Sequence, residues 1–215
     1  MDRRELLKMI AVVTGGAVIG SEFLLESCKS PVATSASSLF TEKDIDFLNE
    51  VAETILPATQ TPGAKAADVG RFMTVAVNDC YTESDQKAFV AGMKKLKDAC
   101  EKRFHTSFMK ATPEQRKELL IFLDQVGKEY QKMKNDIDLV QDEKEKEEIA
   151  KGNTSFKKEE IPPYYFTMMK QLTLWGYFTS EIGMTKALRY VPVPGRYDGC
   201  IDYKKGDKIM VGLMG

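Results

Sequence analysis

Thr112-Pro-Glu-Gln-Arg-Lys-Glu-Leu-Leu-Ile-Phe-Leu-Asp-Gln-Val126 carries the strongest local signal in the chain. Thr112 stands where its hydroxyl can cap free backbone amides, and Pro113 occupies a first helical position that needs no donor. Gln115 is placed to reach back and close a capping box. Leu119, Leu120, Phe122, Leu123 and Val126 then recur so as to mark one face, which predicts a long helix running toward Met133.

Working back from it, the same periodicity recurs. Thr41-Glu-Lys-Asp44 reads as a helix start, with Ile45, Leu48, Val51, Ala52 and Ile55 as its stripe and Pro57 as its stop. After a turn at Thr61-Pro-Gly-Ala64, a second helix is expected from about Ala66, carrying Val69, Phe72, Met73, Ala76 and Cys80. A third, capped by Ser84, carries Ala88, Phe89, Met93, Leu96 and Cys100.

Working forward, residues 134–160 are mostly Lys, Glu and Asp, centred on Asp142-Glu-Lys-Glu-Lys-Glu-Glu148, and read as a charged insertion, either a solvated helix or a loop. Pro162-Pro163 then opens a Met- and aromatic-rich helix from Tyr164 to Phe178, followed by a helical turn over Thr185 to Tyr190. Val191 to Gly215 reads as extended. Apolar and polar residues nowhere alternate in a sustained way before Val191, so the expected fold is an all-α helical bundle of about five to six helices with an irregular Pro/Gly-rich C-terminal tail.

The first 28 residues read as an address rather than a part of that bundle. Arg3 and Arg4, followed by Leu6, Leu7 and Lys8, match the twin-arginine export pattern, and the apolar run from Met9 to Ile19 is about half of the roughly 20 residues that a spanning helix requires. Cys28 follows Leu25-Glu-Ser27 as the lipid-bearing cysteine follows a lipobox, with Glu26 departing from the small or aliphatic residue usual there. The expected organisation is an export signal at 1–28, a Ser/Ala/Thr/Pro tether at 29–38 and one helical domain at 39–215, lying in the periplasm or envelope and membrane-anchored if Cys28 is lipidated, the alternative being an unmodified thiol beside an ordinary cleavage site.

Composition excludes several chemistries. With 31 Lys and Arg against 32 Asp and Glu, the net charge of −1 gives no case for nucleic acid. The single histidine, His105, rules out paired imidazoles and bis-His haem ligation, and no Cys-x-x-Cys occurs. The glycines of Thr14-Gly-Gly-Ala-Val-Ile-Gly20 lack phosphate-loop spacing. A Cys100–His105 nucleophilic pair is disfavoured because Cys100 falls on an apolar helix face. Cys80 and Cys100 should lie too far apart for a disulfide, so any bridge would include Cys200, the alternative being three free, buried thiols. No catalytic, cofactor-binding or metal site is expected.

What stands out is Leu174-Trp-Gly-Tyr-Phe-Thr-Ser-Glu-Ile-Gly183, continued by Leu188-Arg-Tyr190 and Val193-Pro-Gly-Arg-Tyr-Asp-Gly-Cys200. Trp, Tyr and Arg dominate interface energetics. Trp175, Tyr177, Glu181, Arg196, Tyr197 and Asp198 are therefore the candidate partner contacts, with burial of the aromatics in the core as the competing reading.

At this stretch the chain resembles the gluconate 2-dehydrogenase subunit 3 family. The resemblance extends to Leu39-Phe-Thr-x-x-Asp44 with Ile55-Leu-Pro57, and to Phe89-x-x-Gly92-Met93 before Phe104 and Phe108. Its most specific part is Gly176-Tyr-Phe-Thr-Ser-Glu-Ile-Gly183 running into Pro194-Gly-Arg-Tyr-Asp-Gly199. The resemblance implies a non-catalytic small subunit bound to a large flavoprotein dehydrogenase that carries FAD and passes electrons to a cytochrome subunit. It also implies that the twin-arginine address serves a folded, cofactor-loaded partner. The alternative is a stand-alone envelope lipoprotein acting as a ligand-binding or scaffold protein.

Overall fold

In the computed structural model, residues 39–193, 195, 200, 202 and 204–211 are described. The export signal with Arg3, Arg4, Leu6, Leu7 and Lys8, the lipobox-like Cys28 and the tether lie outside them, as do Arg196, Tyr197 and Asp198. The α-helices are α1 (Glu42–Ile55), α2 (Val69–Cys80), α3 (Glu83–Phe104), α4 (Pro113–Ala150) and α5 (Tyr165–Thr179). A 3₁₀ turn spans Ala64–Ala67, a π turn spans Gly183–Ala187, and two-residue strands β1 (Arg189–Tyr190) and β2 (Met210–Val211) pair in parallel. The described chain is therefore all-α, apart from that short ladder.

Two helix starts follow the sequence closely. Thr41 Oγ1 accepts from the Asp44 amide at 3.4 Å while the Asp44 carboxylate accepts from the Thr41 amide at 3.1 Å. Thr112 and Gln115 form the same reciprocal pair at 3.3 and 2.9 Å. Such boxes satisfy donors that every helix N-terminus otherwise leaves open.

Elsewhere the structure corrects the reading. The cap of α3 is Thr82, whose hydroxyl accepts from the Asp85 amide at 3.2 Å, and Ser84 lies inside the first turn. The helix expected from Ala66 is split at Asp68, whose φ of 48° turns the backbone left-handed between the 3₁₀ turn and α2. The helical turn expected over Thr185 to Tyr190 occurs earlier, at Gly183–Ala187, and Leu188 is already extended as it leads into β1. Helix α4 does not end near Met133: its 38 residues run on through the charged segment to Ala150, about 57 Å at 1.5 Å per residue.

Helix α5 is the hub and packs against all four other α-helices. Lys170 is its one charged residue, so nearly the whole circumference can be buried, and Phe166, Met168, Met169, Leu172 and Thr173 are. Gly92 of α3 lets the Tyr165 ring of α5 lie against the helix backbone, where a Cβ would collide with Tyr165 Cβ and Cγ. Burial pushes the Tyr165 phenol above its ordinary pKa, with Tyr164 adding to the effect. Around this crossing, Phe40, Phe89, Met93 and Leu96 complete one side of the core, and Phe47 meets Phe108 edge-on at 5.4 Å on another.

Two polar nodes fasten the outer helices. Asn49, buried on α1, accepts from the Gly70 amide at 2.7 Å and donates to Asp68 Oδ1 at 2.9 Å, so one helix caps the start of another. Glu50 pairs with both Lys65 and Arg116. Arg116 also donates to the carbonyls of Phe108 and Met109 at 2.8 Å each, joining α4, α1 and the connection between α3 and α4. Burial alone would raise the Glu50 pKa, but the Lys65 and Arg116 bonds outweigh it and hold the carboxyl below its ordinary value.

Candidate functional site

Helix α5 presents two faces near its C-terminus. Leu172, Thr173, Gly176 and Tyr177 point inward, whereas Leu174, Trp175 and Phe178 lie on the exposed side. Trp175 is 52% exposed, and its ring meets Phe72 of α2 edge-on at 5.1 Å. Gly176 makes that approach possible, because a Cβ there would come within 2.5 Å of the Phe72 ring. Val75, one turn along α2 from Phe72, is also exposed. The result is an apolar surface built from two helices and centred on an exposed Trp.

Tyr177 does not belong to that surface. It is 4% exposed, and its hydroxyl donates to the Pro62 carbonyl at 2.6 Å, so it anchors α5 to the loop before the 3₁₀ turn. The candidate contact at Tyr177 is therefore corrected to a core position. Three residues from the exposed Phe178, Glu181 lies in the solvent-facing turn beyond α5. Within that turn Ser180 Oγ donates to the Tyr177 carbonyl at 2.7 Å and accepts from the Gly183 amide at 3.0 Å. The local geometry thus separates Trp175 and Glu181, outside, from Tyr177, inside.

Beyond the turn, the Arg189 amide donates to the Ile209 carbonyl and the Val191 amide to the Val211 carbonyl, both at 2.9 Å. This short ladder borders an open cleft of about 800 Å³ lined by Arg189, Tyr190, Asp202, Asp207, Lys208 and Met210. Tyr190, Val193 and Ile209 are exposed nearby. The cleft is open to solvent and sets opposite charges beside apolar side chains.

The chemistry of the remaining candidates is equally plain. Cys80, Cys100 and Cys200 carry no disulfide, but only Cys100 is buried, so the expectation of three buried thiols is corrected. Burial pushes the Cys100 thiol up, away from the thiolate that a nucleophile requires. His105 closes α3 with a left-handed φ of 53°, a C-capping role. Among the described residues no group of three or more His, Cys, Asp or Glu side chains is placed to hold a metal ion, and no helix is long and apolar enough to cross a membrane.

The residues that sequence reasoning missed are Phe72 as the neighbour of Trp175, Val75 as an exposed residue one turn along α2, and Asn49 and Arg116 as fasteners. The α2 stripe did include Phe72, but only the α5 crossing shows that it carries the Trp. Compared with known families, residues 42–195 match the one described as Gluconate 2-dehydrogenase subunit 3. No curated protein and no solved structure matches the chain.

Proposed function

The chain belongs to the gluconate 2-dehydrogenase subunit 3 family, and on that premise we propose that it is the non-catalytic small subunit of an exported, FAD-dependent sugar or sugar-acid dehydrogenase. The FAD resides in the large flavoprotein subunit, and a cytochrome subunit takes the electrons onward. The match over residues 42–195 carries this reading. The exposed surface of Trp175, Phe178 and Val75 supports it, since an apolar patch around an exposed Trp is what a docking face offers.

In this reading Arg3 and Arg4 take the folded pair across the membrane, and Cys28, once acylated, holds it there, each buried CH₂ contributing about 0.8 kcal/mol. The small subunit locates and stabilises, while the substrate is chosen by the large one. An affinity pull-down of the tagged full-length protein from its own organism, with mass spectrometry and a flavin absorbance scan, tests this. A stoichiometric yellow partner is expected. A colourless protein that emerges alone overturns the proposal in favour of a stand-alone envelope lipoprotein.

A further inference from the structure

The residues of α4 that reach the core are Leu119, Leu120, Leu123 and Gly127, and from Lys128 to Ala150 no side chain is buried. The segment returning toward α5 ties this arm down. Glu159 donates its amide to Gln141 at 2.6 Å, Lys158 bridges Asp142 and Glu145 at 2.8 and 2.7 Å, and Tyr130 donates to the Pro162 carbonyl at 2.9 Å. Between helix and segment runs an open groove whose floor is Met133, Ile137, Val140 and Phe156. The helical residues on that floor are spaced by four and then three, the spacing of a helix-to-helix seam. Met133 and Val140 are about half exposed.

The charges along the groove indicate what covers it. Glu129, Lys132, Asp136 and Lys144 line it, and none of them makes an ion pair among the described residues. A second copy laid parallel would set Glu129 against Glu129 and Lys144 against Lys144. Laid antiparallel about a two-fold axis between Asp136 and Ile137, it sets Met133 against Val140 of the second copy and Glu129 against Lys144, each contact occurring twice by symmetry. The same orientation brings the lysine-rich start of the arm, Lys128 to Lys134, to the acidic end, Asp142 to Glu148.

We propose that the arm of α4 pairs antiparallel with the same arm of a second copy, making a homodimer. The inference is independent of the subunit reading. A seam of this length buries less than a standard stable interface, so the dimer should be concentration-dependent, with a dissociation constant on the order of 10 µM.

Sedimentation velocity on the full chain carrying Cys28→Ala, so that no acyl group drives association, tests it from about 1 to 200 µM. A monomer–dimer shift is expected. Glu129→Lys and Lys144→Glu should each weaken it about tenfold, because every reversal acts at both symmetry-related contacts, and the double swap should restore it to within about threefold. These are surface positions, and circular dichroism checks that each variant keeps its helix content. A monomer throughout overturns the proposal, as does a dimer indifferent to both single reversals or a double swap no better than either. Occupation of the groove only when the large subunit is present also overturns it.

Discussion

Glu50 shows how a partly buried carboxylate can contribute to the acid limit of this molecule. Lys65 and Arg116 lower its folded pKa beneath the ordinary 4.5. The stabilisation is therefore complete above that ordinary value and is lost as pH falls through the lowered folded one. Glu50→Gln should cost about 1–3 kcal/mol at pH 7 in urea unfolding and should flatten the loss of stability between about pH 5 and 3. An unchanged acid slope in the variant would assign that slope to other carboxylates. No sequence pattern announces this node, because Arg116 and Glu50 are 66 residues apart and each looks like an ordinary surface charge. Asn49 is hidden for the same reason, its partners lying 19 and 21 residues away.

Helices whose ends are written locally were legible. Thr41 with Asp44 and Thr112 with Gln115 are complete within four residues, so the starts of α1 and α4 could be read directly. The start of α3 was displaced by two residues because Thr82 and Ser84 are both competent caps, and only the Asp85 amide discriminates between them. The far end of α4 was not legible, since beyond Gly127 no side chain is buried and the periodic apolar residues Met133, Ile137 and Val140 are outnumbered by charges. Its helicity rests instead on Glu and Lys propensity and on pairs such as Lys134 with Asp138 at 2.6 Å. Amide hydrogen exchange should accordingly divide one helix in two, with Leu119 to Gly127 protected far longer than Asp136 to Ala150. Uniform protection along α4 would contradict this division, unless the arm is covered in the dimer, which dilution removes. At the crossing of α3 and α5, Gly92→Ala should cost about 1–3 kcal/mol or more by driving a methyl into Tyr165, measured by thermal or urea denaturation. A neutral result would mean that α5 can slide outward at that point.

At the scale of the whole molecule, the proposed docking role depends on which side of α5 faces out. A nearly uncharged helix has no polar face to phase it, which is why Trp175 and Tyr177 read alike in sequence although one is exposed and the other lies in the core. Trp175→Ala should leave stability within about 1 kcal/mol, an edge-on aromatic pair being worth little more, while sharply reducing recovery of the flavoprotein partner. Tyr177→Phe should do the opposite, loosening the fold with recovery largely intact.

The hub position of α5 has a consequence for biosynthesis. The helix that fills the centre follows, in the chain, the four that surround it. As the polypeptide leaves the ribosome, α1 to α4 can make the contacts they share with one another, such as Phe47 with Phe108, but the faces that meet α5 stay open to solvent until residues 165–179 arrive. The nascent chain thus lacks the centre of its core for most of its synthesis, an interval in which its uncovered apolar faces favour aggregation or capture by chaperones.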